Sequence, residues 1–91
     1  MDEYVLRIEN KEGDSFALEN RILEEINFPK QLPIGGEKIF IKDSPKLIDY
    51  YKSRTSPVEE MQKRFSNRTY IIKEIKFEEK IYITAIEEWV L

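Results

Sequence analysis

The last third of the chain, residues 69–91, most constrains what this protein can fold into. Two runs rich in β-branched and aromatic residues are separated there by a short charged segment, a pattern that predicts a long β-hairpin. Alternation along each strand assigns its side chains to two faces. In the first strand Ile71, Ile75 and Phe77 oppose Tyr70 and Ile72, and in the second Ile81, Ile83, Ala85 and Trp89 oppose Tyr82, Ile86 and Val90. Because both faces are partly apolar, the hairpin needs a covering layer on each side.

Two further segments predict the rest of a small sheet. A first hairpin is predicted from apolar positions that alternate with more polar ones, as expected of half-buried strands. The apolar positions are Tyr4, Leu6 and Ile8 in one strand and Phe16 and Leu18 in the other. Gly13 lies in the turn between them and is the residue best able to adopt a positive φ there. Turn residues over 29–36 lead to a short strand over 37–42, with Ile39 and Ile41 on one side.

Residues 18–28 fit two structures. Leu18, Ile22 and Ile26 fit a helical stripe, and good helix formers lie between them. The same apolar residues are also separated by even numbers of positions, so they would lie on one face of a strand. Phe28 precedes Pro29, and a residue before proline is pushed out of the helical region. This favours extended structure over 23–28, although the helix remains open.

A helical insertion is predicted before the C-terminal hairpin. Ser44 as N-cap, followed by proline, starts a first short helix. Ser56 and Glu59 form a capping box, again with proline at the first helical position, and start a second helix that stops near Asn67. The apolar residues of the two helices are Leu47, Ile48, Tyr50 and Tyr51, then Val58, Met61 and Phe65, the last three on one face.

The residue content limits the chemistry that this chain can perform. It contains no histidine and no cysteine, which excludes catalytic triads in their usual forms, disulfides and thiolate metal sites. Its carboxylates occur as adjacent pairs, for example Glu87-Glu88. Neighbours in a strand face opposite sides, so such a pair does not readily converge on one substrate. We therefore expect no catalysis, no metal and no organic cofactor.

A basic segment interrupts an acidic chain. The net charge is −3 overall, whereas residues 44–68 hold six bases and three acids, for +3, and the remainder sums to −6. Bases and aromatics interleave in this segment and form a candidate interaction surface: Lys46, Tyr50, Tyr51, Lys52, Arg54, Lys63, Arg64 and Arg68. Such a surface can stack nucleobases and contact phosphates. The alternative is that a tyrosine packs inward beside Leu47 while the bases solvate the helices.

These elements predict one α+β domain over residues 1–91. It is a small, strongly curled antiparallel sheet or barrel-like meander of about five strands, with a helical insertion at about 45–66. We expect a non-enzymatic interaction module that binds a protein partner or a second copy. The alternative is a weak nucleic-acid binder that uses the insertion. The acidic N-terminus and the lack of a long apolar run predict a cytoplasmic protein without membrane contact.

The capping box gives a first testable prediction. Replacing Ser56 with alanine removes the hydroxyl that accepts a hydrogen bond from the first turn of the second helix, and should lower the free energy of unfolding by about 1 kcal/mol. Chemical denaturation of wild type and S56A measures this difference. An unchanged free energy of unfolding would show that Ser56 does not cap the helix.

Overall fold

The computed structural model describes residues 3–26, 28, 35–54 and 58–88. Five strands and three helices follow one another in these ranges: β1 (Tyr4–Glu9), β2 (Ser15–Glu19), α1 (Asn20–Glu25), β3 (Lys38–Ile41), α2 (Pro45–Arg54), α3 (Val58–Phe65), β4 (Arg68–Phe77) and β5 (Ile81–Glu87). The strands form one sheet in the order β2-β1-β5-β4-β3, curled into a half-barrel. The predicted α+β class, the curled sheet and the helical insertion between β3 and β4 are thereby confirmed.

The sheet departs from the predicted antiparallel arrangement at one strand pairing, which gives it a mixed character. β1 and β5 run parallel at its centre, whereas every other neighbouring pair of strands is antiparallel. Parallel neighbours require a long connection, and here that connection is the chain from β2 to β4. The alternation of buried and exposed residues in β1 and β5 fits a parallel and an antiparallel pairing equally well. The relative direction of the two strands therefore follows from how the N-terminal hairpin docks against the rest of the sheet.

The β1–β2 hairpin forms as predicted. Gly13 takes a φ of +89° in its turn. The Asn10 side chain organises the same turn, because its Oδ1 accepts hydrogen bonds from the backbone N–H groups of Glu12 and Asp14. Its Nδ2 donates to the carbonyl of Arg64 at 3.1 Å. The turn is therefore attached to the end of α3, which lies 54 residues further along the chain.

The extended structure favoured for 23–28 is wrong over 23–25, where the helical alternative is correct: β2 ends at Glu19 and α1 spans Asn20–Glu25. Ile22 and Leu23 are consecutive and both buried in α1, which one side of a helix permits and an alternating strand does not. The restriction that proline imposes reaches only the residue before it. That residue, Phe28, lies beyond the helix, and its N–H donates to the carbonyl of Leu23 at 2.9 Å.

The two helices of the insertion begin and end largely as predicted. The Ser44 hydroxyl accepts a hydrogen bond from the Leu47 N–H at 3.2 Å at the start of α2. Ser56, the predicted cap of α3, lies outside the described residues, as does the side chain of Val58. Phe65 is buried, and Met61 packs against the core. The chain leaves α3 at Asn67, whose φ of 58° is left-handed.

One contiguous core joins the sheet to the helices. The sheet contributes Leu6, Ile8, Leu18, Ile39, Ile41, Tyr70, Ile72, Ile81, Ile83 and Ala85, and the helices contribute Ile22, Leu23, Leu47, Tyr50, Tyr51 and Phe65. We call the side of the sheet that carries these residues the core face and the opposite side the outer face. Phe16 lies between the layers, with its ring centroid 5.5 to 5.9 Å from those of Tyr50, Tyr51 and Phe65.

Strand β4 contains a bulge that simple alternation does not reveal. Its pairing with β5 shifts at Lys73, which is an extra residue. The bulge brings Ile75 into register with the buried Ile83, and Ile75 packs against the core. The prediction that Ile75 and Phe77 share a face with Ile71 is therefore wrong. Beyond the bulge the two residues move to the core face, although Phe77 remains 67% exposed at the end of the strand.

Buried tyrosines predict how stability depends on pH. Burial raises the pKa of Tyr51 from 10.0 to about 12, and burial also raises the pKa values of Tyr50 and Tyr70. The unfolded chain loses these protons at a lower pH than the folded chain, so the free energy of unfolding should fall as the pH rises above 10. The stabilisation that these neutral tyrosines give is fully present below that pH.

Urea denaturation between about pH 8 and pH 11.5 measures this effect. Y51F removes one of the titrating groups, so its stability should fall less steeply than that of wild type, by up to about 1.4 kcal/mol per pH unit. Equal slopes for the two proteins would contradict the role assigned to Tyr51.

Candidate functional site at the sheet edges

The predicted candidate surface divides into buried and exposed members. Tyr50 and Tyr51 are 2% and 0% exposed and belong to the core. The Tyr51 hydroxyl lies 2.9 Å from the Ser66 hydroxyl, and burial is the main reason why its pKa is raised. This is the inward packing beside Leu47 that the sequence left as an alternative. Neither tyrosine presents a ring face to solvent on which a nucleobase could stack.

Four bases of the candidate surface form ion pairs with acids outside residues 44–68. Lys46 binds Glu25, Arg54 binds Glu19, Arg64 binds Asp14, and Arg68 binds both Glu12 and Glu87. The last group is partly buried, because the side chains of Arg68 and Glu87 are only 20% and 10% exposed. The positive insertion is thus neutralised in large part by the negative remainder of the same chain.

Two bases of the candidate surface stand apart from these pairs. Lys52 on α2 and Lys63 on α3 are exposed, and neither makes an ion pair within the described ranges. The Lys63 carbonyl accepts a hydrogen bond from Arg68 at 2.6 Å, which uses its backbone and leaves its ammonium in solvent. Of the eight residues of the candidate surface, the two tyrosines thus belong to the core, four bases form ion pairs, and two lysines are solvated.

The outer edge of β2 is closed by Tyr50. Its hydroxyl accepts a hydrogen bond from the Glu19 N–H at 3.1 Å and donates one to the Ala17 carbonyl at 3.0 Å. The Arg54 guanidinium pairs with Glu19 and lies 5.4 Å from the Tyr50 ring centroid, which supports the ring from the same helix. Two outward backbone groups of β2 are thus already bonded, which makes this edge a poorer template for another strand.

The outer edge of β3 is open to solvent as far as the described residues extend. The carbonyls of Glu37 and Ile41 accept hydrogen bonds from β4 and the residue before it, so by alternation the backbone groups of Lys38 and Phe40 point away from the sheet. No described strand lies beyond β3. The side chain of Phe40 is 57% exposed on the outer face of this strand. In the described part of the chain, β3 therefore combines an outward backbone that no strand pairs with and an exposed aromatic ring.

Phe40 is the site residue that sequence reasoning missed. The prediction that Ile39 and Ile41 share one side is confirmed, and it already implied that Phe40 faces the other side. A large apolar residue on the solvent side of a short strand, with Lys38 and Lys42 two residues away on either side, was the available signal. What the sequence did not contain was the position of β3 at the end of the sheet.

Two shallow clefts adjoin α1. The first has a volume of about 270 Å³ and lies beside the start of β1, and the second, of about 380 Å³, lies between α1 and α2. Arg21 lines both, and its guanidinium is 4.9 Å from the Tyr50 ring centroid. Both clefts are lined mainly by charged and polar side chains, whereas small-molecule pockets are lined mainly by apolar ones.

Within the described residues, no group of three or more acidic, histidine or cysteine side chains is placed to hold a metal ion. No described helix has the length and apolar character needed to cross a membrane. No protein-family model, curated protein or solved structure matches this chain.

Removing the Tyr50 hydroxyl should open the edge of β2. In Y50F the Glu19 N–H and the Ala17 carbonyl lose their partner, so the free energy of unfolding should fall by about 1 kcal/mol. The Glu19 amide should also exchange its hydrogen faster, as measured by NMR. Y51F is the matched control, because the hydroxyl that it removes bonds Ser66 and not the backbone of β2. If the Glu19 amide exchanges at the same rate in wild type and Y50F, Tyr50 does not close this edge.

Proposed function

We propose that this protein is a small, non-enzymatic interaction module that binds another polypeptide chain by strand addition at β3. An extended segment would become the sixth strand of the sheet, paired through the backbone groups of Lys38 and Phe40. The observation that carries the proposal is the difference between the two edges. Within the described residues, Tyr50 bonds two outward backbone groups of β2 at 3.0 and 3.1 Å, whereas β3 ends the sheet with an open backbone and an exposed phenylalanine.

Phe40 gives the edge a means of selecting a side chain as well as a backbone. Its cross-strand neighbour on the outer face is Thr69, and Ile71 lies one pair further along β4. An apolar residue of an added strand would lie opposite Phe40, within reach of its ring. Main-chain hydrogen bonds supply affinity in this binding mode, and alternate side chains supply specificity. The cytoplasmic location expected from the sequence is part of the same proposal.

An unbiased peptide library tests this function. Random extended peptides displayed on phage are selected against the immobilised protein, and the selected peptides are then titrated into the ¹⁵N-labelled protein. We expect the amide N–H groups of Lys38 and Phe40 to become protected from exchange. F40T should weaken binding by roughly tenfold, because it removes an apolar contact of about 1.4 kcal/mol.

Phe77 provides the matched control for that experiment. It is the other large hydrophobic residue exposed in the described structure. It lies six residues along β4 from the last residue paired with β3, a distance of roughly 20 Å. F77T should therefore leave peptide binding unchanged. Selected peptides that bind F40T as tightly as wild type, or that protect amides of α2 and α3 instead, would contradict strand addition at β3.

The runner-up proposal is weak nucleic-acid binding by the insertion. The feature that favours it is the pair of solvated lysines, Lys52 and Lys63. Titration with single- and double-stranded oligonucleotides at two salt concentrations tests it, since phosphate contacts weaken steeply with salt. Salt-sensitive binding that is lost in a K52E/K63E double variant would favour this function over strand addition.

A further inference from the structure

The side chains on either side of Phe40 indicate which residue types a strand bound to β3 would carry. Lys38 shares the outer face of β3 with Phe40, and Lys42 follows the strand at the next position of the same alternation. Both lysines are exposed. An added strand would thus meet a cation, an aromatic ring and a second cation at two-residue spacing. This inference rests on the proposed function, because it concerns the same edge.

The charges around this edge are only partly compensated. Lys38 forms an ion pair with Glu88, whose side chain is 30% exposed. Lys42 forms no ion pair within the described part of the chain. Thr69 and Ile71, the outer-face residues of β4 opposite this segment, are uncharged. A carboxylate on an added strand would therefore find an unneutralised ammonium at Lys42 and could share Lys38 with Glu88.

Self-pairing of β3 does not supply such carboxylates. If two copies pair antiparallel about Phe40, Lys38 of each lies opposite Lys42 of the other, and like charges directly opposite one another are destabilising. Centring the pair on Lys38, Ile39 or Ile41 instead places each lysine opposite a lysine or an uncharged residue. Edge lysines are a common device against self-association. The charge pattern thus disfavours a second copy as the occupant.

We infer that β3 binds an acidic extended segment of another protein, in which two carboxylates flank an apolar residue at two-residue spacing. The apolar residue lies on Phe40, and the carboxylates lie opposite Lys38 and Lys42. Exposed ion pairs of this kind contribute little affinity individually. Their effect is on partner choice, because a basic strand would bring like charges together at the same positions.

Three capped synthetic peptides with the sequences TETVTET, TQTVTQT and TKTVTKT test the inference. Each is titrated to millimolar concentration into the ¹⁵N-labelled protein at low and at physiological salt, and binding is followed at the amides of Lys38 and Phe40. The acidic peptide should bind about two- to thirty-fold more tightly than the neutral one at low salt, the range given by two cross-strand charge pairs. The basic peptide should bind most weakly, and added salt should reduce the difference.

Charge reversal separates a local effect from a general one. K42E should abolish the preference for the acidic peptide over the basic one, because the new carboxylate repels an acidic strand at one position while Lys38 attracts it at the other. K52E changes the net charge by the same amount on α2, away from this edge, and should keep the wild-type order. The inference is overturned if K52E abolishes the preference as K42E does, because the preference would then reflect net charge.

The remaining outcomes distinguish the partner from the binding mode. Equal binding of the acidic and neutral peptides at Lys38 and Phe40 would overturn the acidic partner and leave strand addition standing. Protection of these amides that depends on protein concentration and needs no peptide would identify a second copy as the occupant, and would also overturn the inference. If neither peptide nor protein concentration affects these amides, both the inference and the proposed function fail.

Discussion

The structure depends on placing three tyrosine hydroxyls inside a small protein with a hydrogen-bond partner for each. Tyr51 meets the hydroxyl of Ser66, Tyr70 donates to the carbonyl of Phe65 at 2.8 Å, and Tyr50 bonds the edge of β2. A buried hydroxyl without a partner costs about 1–3 kcal/mol. These four bonds join α2, the end of α3, β4 and β2. They fix how the helical insertion lies on the sheet, whereas the apolar contacts require only that it cover the core face.

Ion pairs also hold the helical insertion against the rest of the protein. The basic insertion and the acidic remainder of the chain attract one another within one molecule, and Arg68 shows the arrangement best. Burial lowers its pKa, but hydrogen bonds and charge from Glu87 and Glu12 outweigh that effect, so its pKa lies above the ordinary value. Exposed pairs contribute little stability singly. Their consequence is that a segment which is basic in sequence is not a basic surface in the fold.

The same packing makes the two sheet edges different. α2 lies against β2 and brings Tyr50 to its backbone, while β3 lies at the opposite end of the sheet and has no described neighbour on its outer side. An open edge with an exposed aromatic residue is a hazard for aggregation unless it is protected or used. In the proposed mode of binding, the lysines around Phe40 meet both requirements, since they oppose self-pairing and would attract an acidic strand.

The sequence by itself determined the local structure. The Ser44 cap, the positive φ at Gly13 and the alternation in β1, β3 and β5 depend on residues within a few positions of each other, and they appear as predicted. The tertiary structure decided the rest: the bulge at Lys73, the parallel pairing of β1 with β5, the burial of Tyr50 and the exposure of Phe40. Each of these features depends on which element, distant in sequence, packs beside the residue concerned. The alternation of apolar and polar residues does not reveal this, because it is the same in a central strand and in an edge strand. The candidate site is defined by its position at the end of the sheet, a property that strand order creates.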